Sequence, residues 1–241
     1  MDSTLLITAA FFVAAVLYSS VGHAGASGYL AVMAFLGTAP ATMRPTALVL
    51  NLVVASIATW RFGKAGLFSW RLFWPFALGS IPLAFVGGAI TLPGHWYRTL
   101  VGLILWAAAL RLWLDLRVAT PTPPSTPAAV ISGGGIGVLA GLTGTGGGIF
   151  LSPLLLFMGW AGARETGGVS AAFILVNSLA GLAARPSSLA QLPEAMPIWA
   201  GAVALGGLVG STLGSRSLGT PAFKRTLGVV LLIAGAKLVF D

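Results

Sequence analysis

Two short runs of glycine, hydroxyl and imidazole side chains are the residues of this chain that could do chemistry. One is Gly141-Leu142-Thr143-Gly144-Thr145-Gly146-Gly147-Gly148, and a weaker copy, Gly22-His23-Ala24-Gly25-Ala26-Ser27-Gly28, lies 122 residues earlier. Each sits inside a long apolar stretch, where glycine is costly to helix. Irregular backbone survives at membrane depth only when it is buried in protein or lines a cavity. A duplicated break of this kind reads as a site. The helical pieces that resume near Gly28 and near Gly148 would present unpaired N–H groups and a partial positive charge, the ingredients of an anion site. Gly25, Gly144, Gly146 and Gly147 let backbone approach a ligand, and Thr143, Thr145, Ser19, Ser20 and Ser27 add hydroxyl donors. The competing reading is that the glycines only let helices pack closely. Duplication, and Pro153 soon after the second copy, favour the site.

Asn51 and Asn177 hold matching places in the segments that follow the two breaks. A buried amide in a membrane needs partners, so this pair either binds a substrate oxyanion or clamps the unwound backbone. His23, where the second copy has Thr145, can cap loose backbone, donate to an anion or carry a proton. His95, beside Trp96 and Tyr97, reads as an interfacial anchor. Arg164-Glu165, at a segment boundary, reads as a loop ion pair rather than a gate. The five carboxylates are Asp2, Asp115, Glu165, Glu194 and Asp241, none of them at expected mid-depth. Proton coupling would therefore fall to His23 or to a protonated substrate. With no cysteine, thiolate metal sites and cysteine nucleophiles are excluded, and no metal or cofactor is expected.

The elements that position these residues are membrane helices. The chain of 241 residues is 57% hydrophobic and 7% charged, with a net charge of +8 and a mean hydropathy of +0.96. Soluble domains carry about a quarter charged residues. The basic excess is scattered, which fits the positive-inside bias of cytoplasmic loops and not a nucleic-acid surface. No basic residue precedes the apolar run from Leu5, so that run reads as a retained segment and not a signal peptide. Spanning segments are expected at 4–21 with 28–37, 45–60, 71–92, 96–114, 128–143 with 147–159, 166–184, 195–214 and 221–239. Asp115-Leu116-Arg117 and Pro121, Pro123, Pro124 and Pro127 mark a cytoplasmic linker over 115–127. It divides an N-terminal membrane repeat, 1–114, from a C-terminal one, 128–241.

The halves repeat in order. Gly22 and Gly37 match Gly144 and Gly159, Asn51 matches Asn177, Gly79 and Gly87 match Gly206 and Gly214, and Arg98-Thr99-Leu100 matches Arg225-Thr226-Leu227. Charge decides their relative orientation. If each broken segment crosses once, Lys and Arg split about evenly between the sides. If each enters, unwinds and returns, then Arg61, Lys64, Arg71, Arg111, Arg117, Arg164, Arg216, Lys224 and Arg225 share the inside, leaving Arg44, Arg98, Arg185 and Lys237 outside. The second arrangement obeys the positive-inside rule far better. Residues 4–37 would also make a helix of about 50 Å, too long for a core about 30 Å thick and too short for two crossings. The fold expected is an all-α integral membrane protein of two inverted repeats. Each has about four membrane segments, the first broken at a glycine-rich midplane turn, with both termini outside.

The second motif, Gly141-x-x-Gly144-x-Gly146-Gly147-Gly148 with Pro153-Leu154-Leu155 and Gly159, resembles that of the TauE/SafE family of sulfite and organosulfonate exporter permeases. The resemblance extends to the two-half organisation, the Asn177 segment, and Lys224-Arg225-x-Leu227-Gly228 with Gly235-x-Lys237. The first copy departs from it: Ala24 and Ala26 replace glycines, His23 is inserted, and Ala31 stands where the second copy has Pro153. The resemblance implies export of a small sulfur-containing anion across the cell inner membrane. Broken helices at the midplane of inverted repeats are a recurring plan of alternating-access carriers. An anion channel on the same scaffold is the alternative. A membrane-embedded enzyme would need a nucleophile or carboxylate pair that the apolar segments lack. The partners expected are the small anion, the lipid bilayer and protons as a coupling ion. The oligomeric state stays open, a homodimer included.

Overall fold

The computed structural model describes residues 3–113, 120–216 and 221–240. Asp115, Leu116 and Arg117 of the expected linker lie outside them, as do the side chains of Arg111, Arg216, Lys224 and Arg225 from the charge count. The described residues are helical throughout, with no strand. The first half holds α1 (Ser3–Ser19), α2 (Ala26–Phe35), α3 (Pro40–Lys64), α4 (Trp70–Ala89) and α5 (Gly94–Trp113). The second holds α6 (Thr126–Thr143), α7 (Gly148–Phe157), α8 (Ala163–Ala183), a 3-10 segment (Pro186–Gln191), α9 (Met196–Arg216) and α10 (Pro221–Phe240). Among the described residues, α3, α4, α6, α8 and α9 are long and apolar enough to cross a membrane. The 3-10 segment had no signal in hydropathy; it follows from Pro186, which restarts the chain after α8 with a fixed φ.

Matched positions end their helices alike. Gly37 and Gly159 close α2 and α7 at φ 68° and 66°. There Thr38 N donates to Met33 O (3.0 Å) and Trp160 N to Leu155 O (2.8 Å), the wrap-back that satisfies terminal carbonyls. The helices pack in exchanged pairs: α1 on α9 as α6 on α4, α3 on α9 as α8 on α4, and α2 on α10 as α7 on α5. The remaining pairs, α3 with α8 and α5 with α10, join matched helices to each other. Both run antiparallel. Leu48 lies by Gly181 while Phe62 lies by Gly167; Gly102 lies by Gly235 and Val239, while Trp106 Nε1 donates to Leu232 O (3.1 Å).

The α4–α6 and α1–α9 seams run parallel and are built from small residues. A Cβ on Gly133, Gly137 or Gly141 of α6 would strike the backbone of Phe76, Ser80 or Ala84 in α4. In the matching seam a Cβ on Gly206, Gly210 or Gly214 of α9 would meet the backbone of Phe12, Val16 or Ser20. Small residues let helix backbones approach where no hydrophobic force drives helices together. The matched pairs Gly79/Gly206 and Gly87/Gly214 therefore serve packing.

These seams set the breaks. The first arms are 17 residues in α1 and 18 in α6, and the returning arms 10 each in α2 and α7. That makes about 26 Å against about 15 Å, unequal arms as the expected segments 4–21 with 28–37 implied, with α7 shorter than the expected 147–159. Each long arm stays helical while its seam lasts, to Ser20 beside Gly214 and to Gly141 beside Gly88. Both hairpins then double back: Lys237 Nζ holds Phe35 O at 3.0 Å, and Thr122 N donates to Gly159 O at 2.8 Å beside the start of α6. The fold has two ends. Arg44, Arg98, Arg185 and Lys237 share one, while Arg61, Lys64, Arg71 and Arg164 share the other, where Arg164 Nη2 reaches Ser215 O.

Gly137→Leu should eliminate the monodisperse, heat-resistant species seen by size-exclusion chromatography of the solubilised protein. Gly135→Leu, one helical half-turn away where a Cβ meets nothing within 4 Å, should leave it unchanged.

Candidate functional site

The tips of the two hairpins meet in the protein interior. In the first, α1 gives way at Ser20, Gly22 and Gly25 take φ 78° and 107°, and α2 begins at Ala26. In the second, Gly144, Gly146 and Gly147 take φ 78°, 72° and 81°, and α7 begins at Gly148. These left-handed angles strain every residue with a Cβ. Neither α2 nor α7 has a side-chain N-cap. Tyr29 N donates to Gly25 O, and Phe150 N and Leu151 N donate to Gly147 O; the N–H groups before these are the ones a helix start leaves without a ladder partner. Helix α2 starts two residues before the position expected, and Gly28 is thus part of it, packed on Ala14 and Tyr18 of α1.

Side chains from elsewhere hold the irregular backbone. Tyr29 Oη donates to Ala24 O (2.7 Å), and Tyr97 Oη donates to Thr143 O (3.2 Å). His23, 4% exposed, joins the hairpins. Its Nε2 lies 3.0 Å from Gly148 O and 3.1 Å from Ser152 Oγ, while Nδ1 lies 3.2 Å from Val21 O. Ser152 Oγ continues to Ser170 Oγ at 2.8 Å. Carbonyl oxygens face both ring nitrogens. A neutral imidazole donates to one of them; the protonated ring donates to both.

His23, Gly25, Ser27 and Thr145 line one small cavity with Tyr18, Ala24, Ala26, Ile149 and Ile174. Its volume is about 10 Å³, room for about one water. Gly148 adjoins it beside His23 and Ile174. Thr143 and Thr145 face each other, Oγ1 to Oγ1 at 3.0 Å, and Thr143 Oγ1 also donates to Leu139 O (2.7 Å). The asparagines stand beside the cavity. Asn51 Nδ2 donates to Ser178 Oγ (3.3 Å) and, with Ser178 and Ile174, walls in Gly146. Asn177 Nδ2 donates to Phe173 O (2.8 Å) in its own helix. Both Oδ1 atoms are buried without a hydrogen-bond partner. Each amide thus places one of its two N–H donors on protein, Asn51 on a hydroxyl of α8 and Asn177 on its own helix, and neither bonds the irregular backbone.

The two ends differ in access. At the Phe62 end, Gly22 abuts the backbone of Gly167, and Gly168 abuts Leu67; Phe62 packs there with Ala58, Ala171 and Leu67. At the Arg44 end a cavity of about 350 Å³ opens between the starts of α3 and α5 and the end of α8, within the size range of small-molecule sites. Tyr97 lines it while holding Thr143 O, and Arg44 lies against Gly144. Sequence reasoning missed Arg44 and Tyr97, having set them in loops or at an interface. The one signal was an arginine in the first turns of an apolar segment.

The family model for the sulfite exporter TauE/SafE matches residues 7–238. A curated relative from Sinorhizobium fredii (strain NBRC 101917 / NGR234), described as "Probable membrane transporter protein y4hK", is 41% identical over 247 residues, covering 100% of both chains. No solved structure matches.

His23→Ala removes the bonds between the hairpin tips and leaves buried polar atoms unsatisfied, at a cost of about 1–3 kcal/mol. A lower thermal-unfolding temperature in detergent than the parent's is the expected outcome.

Proposed function

Since the chain belongs to the TauE/SafE sulfite exporter family and is a multi-pass membrane transporter, we propose that it exports a small sulfur-containing oxyanion by alternating access. The anion is held between the hairpin tips by the first-turn N–H groups of α2 and α7, with His23, Ser27 and Thr145 as side-chain donors. One observation carries this reading: a cavity opens at the Arg44 end, where its lining residues Arg44 and Tyr97 touch Gly144 and Thr143, while the Phe62 end is packed shut. A carrier must have such one-sided states; an open channel needs a continuous path. The junction's 10 Å³ is too small for an oxyanion, so loading requires the hairpin tips to separate. His23, set between two carbonyls, is the group to carry a coupled proton.

The halves are read as inverted repeats, 1–114 and 128–241, about the 115–127 linker. Antiparallel packing of α3 on α8 and α5 on α10 supports this, because matched helices of a parallel repeat would point the same way. The division of basic residues between the two ends supports placing the Phe62 end and linker in the cytoplasm and both termini outside. An inside-negative potential then assists anion exit by about 2.3 kcal/mol per charge per 100 mV. The family name supports the sulfite and organosulfonate class.

Gly147→Leu, at φ 81° with Phe173, Ile136 and Ala140 around it, should abolish sulfite flux in proteoliposomes while the protein still inserts. Normal flux would overturn the site. Reporter tags at residue 120 and at the C-terminus should fall on opposite sides of the membrane, and tags on the same side would contradict the inverted topology.

A further inference from the structure

The cavity at the Arg44 end carries more charge than a mere entrance requires. Arg44 is anchored on its inner wall, with Nη1 donating to Ile90 O (3.0 Å) and Nη2 to the carbonyls of Gly87 and Gly88. Arg185 stands across from it, with Nη1 on Thr91 Oγ1. The carbonyls satisfy donors but supply no full counter-charge; the C-terminus of α4 offers about half an elementary charge. No acidic residue lines the cavity. Of the carboxylates among the described residues, Glu165 sits in the first turn of α8, at the opposite end, and Glu194 is exposed outside the lining. The rest of the wall is largely apolar, with Leu48 and Leu92 prominent. A bare inorganic anion would leave most of the 350 Å³ unfilled and gain nothing from that wall.

We propose that this cavity is a second anion site, separate from the hairpin junction, which binds an organic anion with a charged head on Arg44 and Arg185 and a short alkyl stem on Leu48 and Leu92. Its place as a waiting site, from which Tyr97 and Thr143 lead to the junction, rests on the transport reading; binding itself does not. Each buried methylene should tighten binding about fourfold.

Calorimetry on the full chain in nanodiscs, with inorganic sulfate, methanesulfonate and propanesulfonate as probes, tests this. Propanesulfonate, with two more methylenes, should bind about fifteenfold more tightly than methanesulfonate, and sulfate most weakly. Arg185→Gln should weaken propanesulfonate at least about tenfold, Arg185→Lys should recover most of the loss, and His23→Ala should change it by less than about twofold. Arg185 is exposed, and retention of the parent's thermal unfolding by Arg185→Gln checks that it folds. No propanesulfonate binding, or binding indifferent to Arg185→Gln, overturns the proposal. Binding removed by His23→Ala and spared by Arg185→Gln would also overturn it, placing the anion at the junction and leaving the transport reading intact. Binding as expected in a protein without flux would uphold this site and defeat the transport reading.

Discussion

Non-helical backbone inside a membrane must find every hydrogen-bond partner within the protein, and the rest of this structure depends on how that is met. The breaks at residues 20–25 and 144–147 leave carbonyls that no helix ladder satisfies. Val21, Ala24 and Thr143 are met by His23, Tyr29 and Tyr97 in turn. Three aromatic side chains from separate turns and helices thus fix the irregular segments.

The packing follows from the same requirement. Each long arm is held along a glycine seam, α1 on α9 and α6 on α4, and breaks where its seam ends. The exchange of partners between halves means that each hairpin is braced by a helix of the opposite half. His23 bridges the two hairpin tips through Gly148 O and Ser152 Oγ, and the proposed transport cycle requires that tie to open.

Much of this was legible in the sequence, residue by residue. The all-helical fold and the apolar segments long enough to span a membrane follow from apolar length and low charge. His23, Ser27 and Thr145 were singled out, and the structure brings them to one cavity. Other features needed three dimensions. Gly79 and Gly87 stand in the sequence only as matches of Gly206 and Gly214, and the fold shows that they serve helix contact. Asn51 and Asn177 are able to serve either role, and only the fold shows their neighbours, Ser178 Oγ and Phe173 O. Arg44 and Tyr97 escaped notice because their importance comes from contacts with Gly144 and Thr143, far away in the chain and in no fixed sequence relation.

The absence of cysteine allows labels to be placed without background. Gly63 and Gly162 mark the Phe62 end at positions where an added side chain meets nothing within 4 Å; Gly94, equally open, and the exposed Leu189 mark the other. Spin-label distances for the Gly63–Gly162 and Gly94–Leu189 pairs, measured in nanodiscs with and without sulfite, test the central claim most directly. The account predicts that the two distances change in opposite directions when the anion binds. Distances that stay fixed, or lengthen together, in a protein that still transports would contradict it.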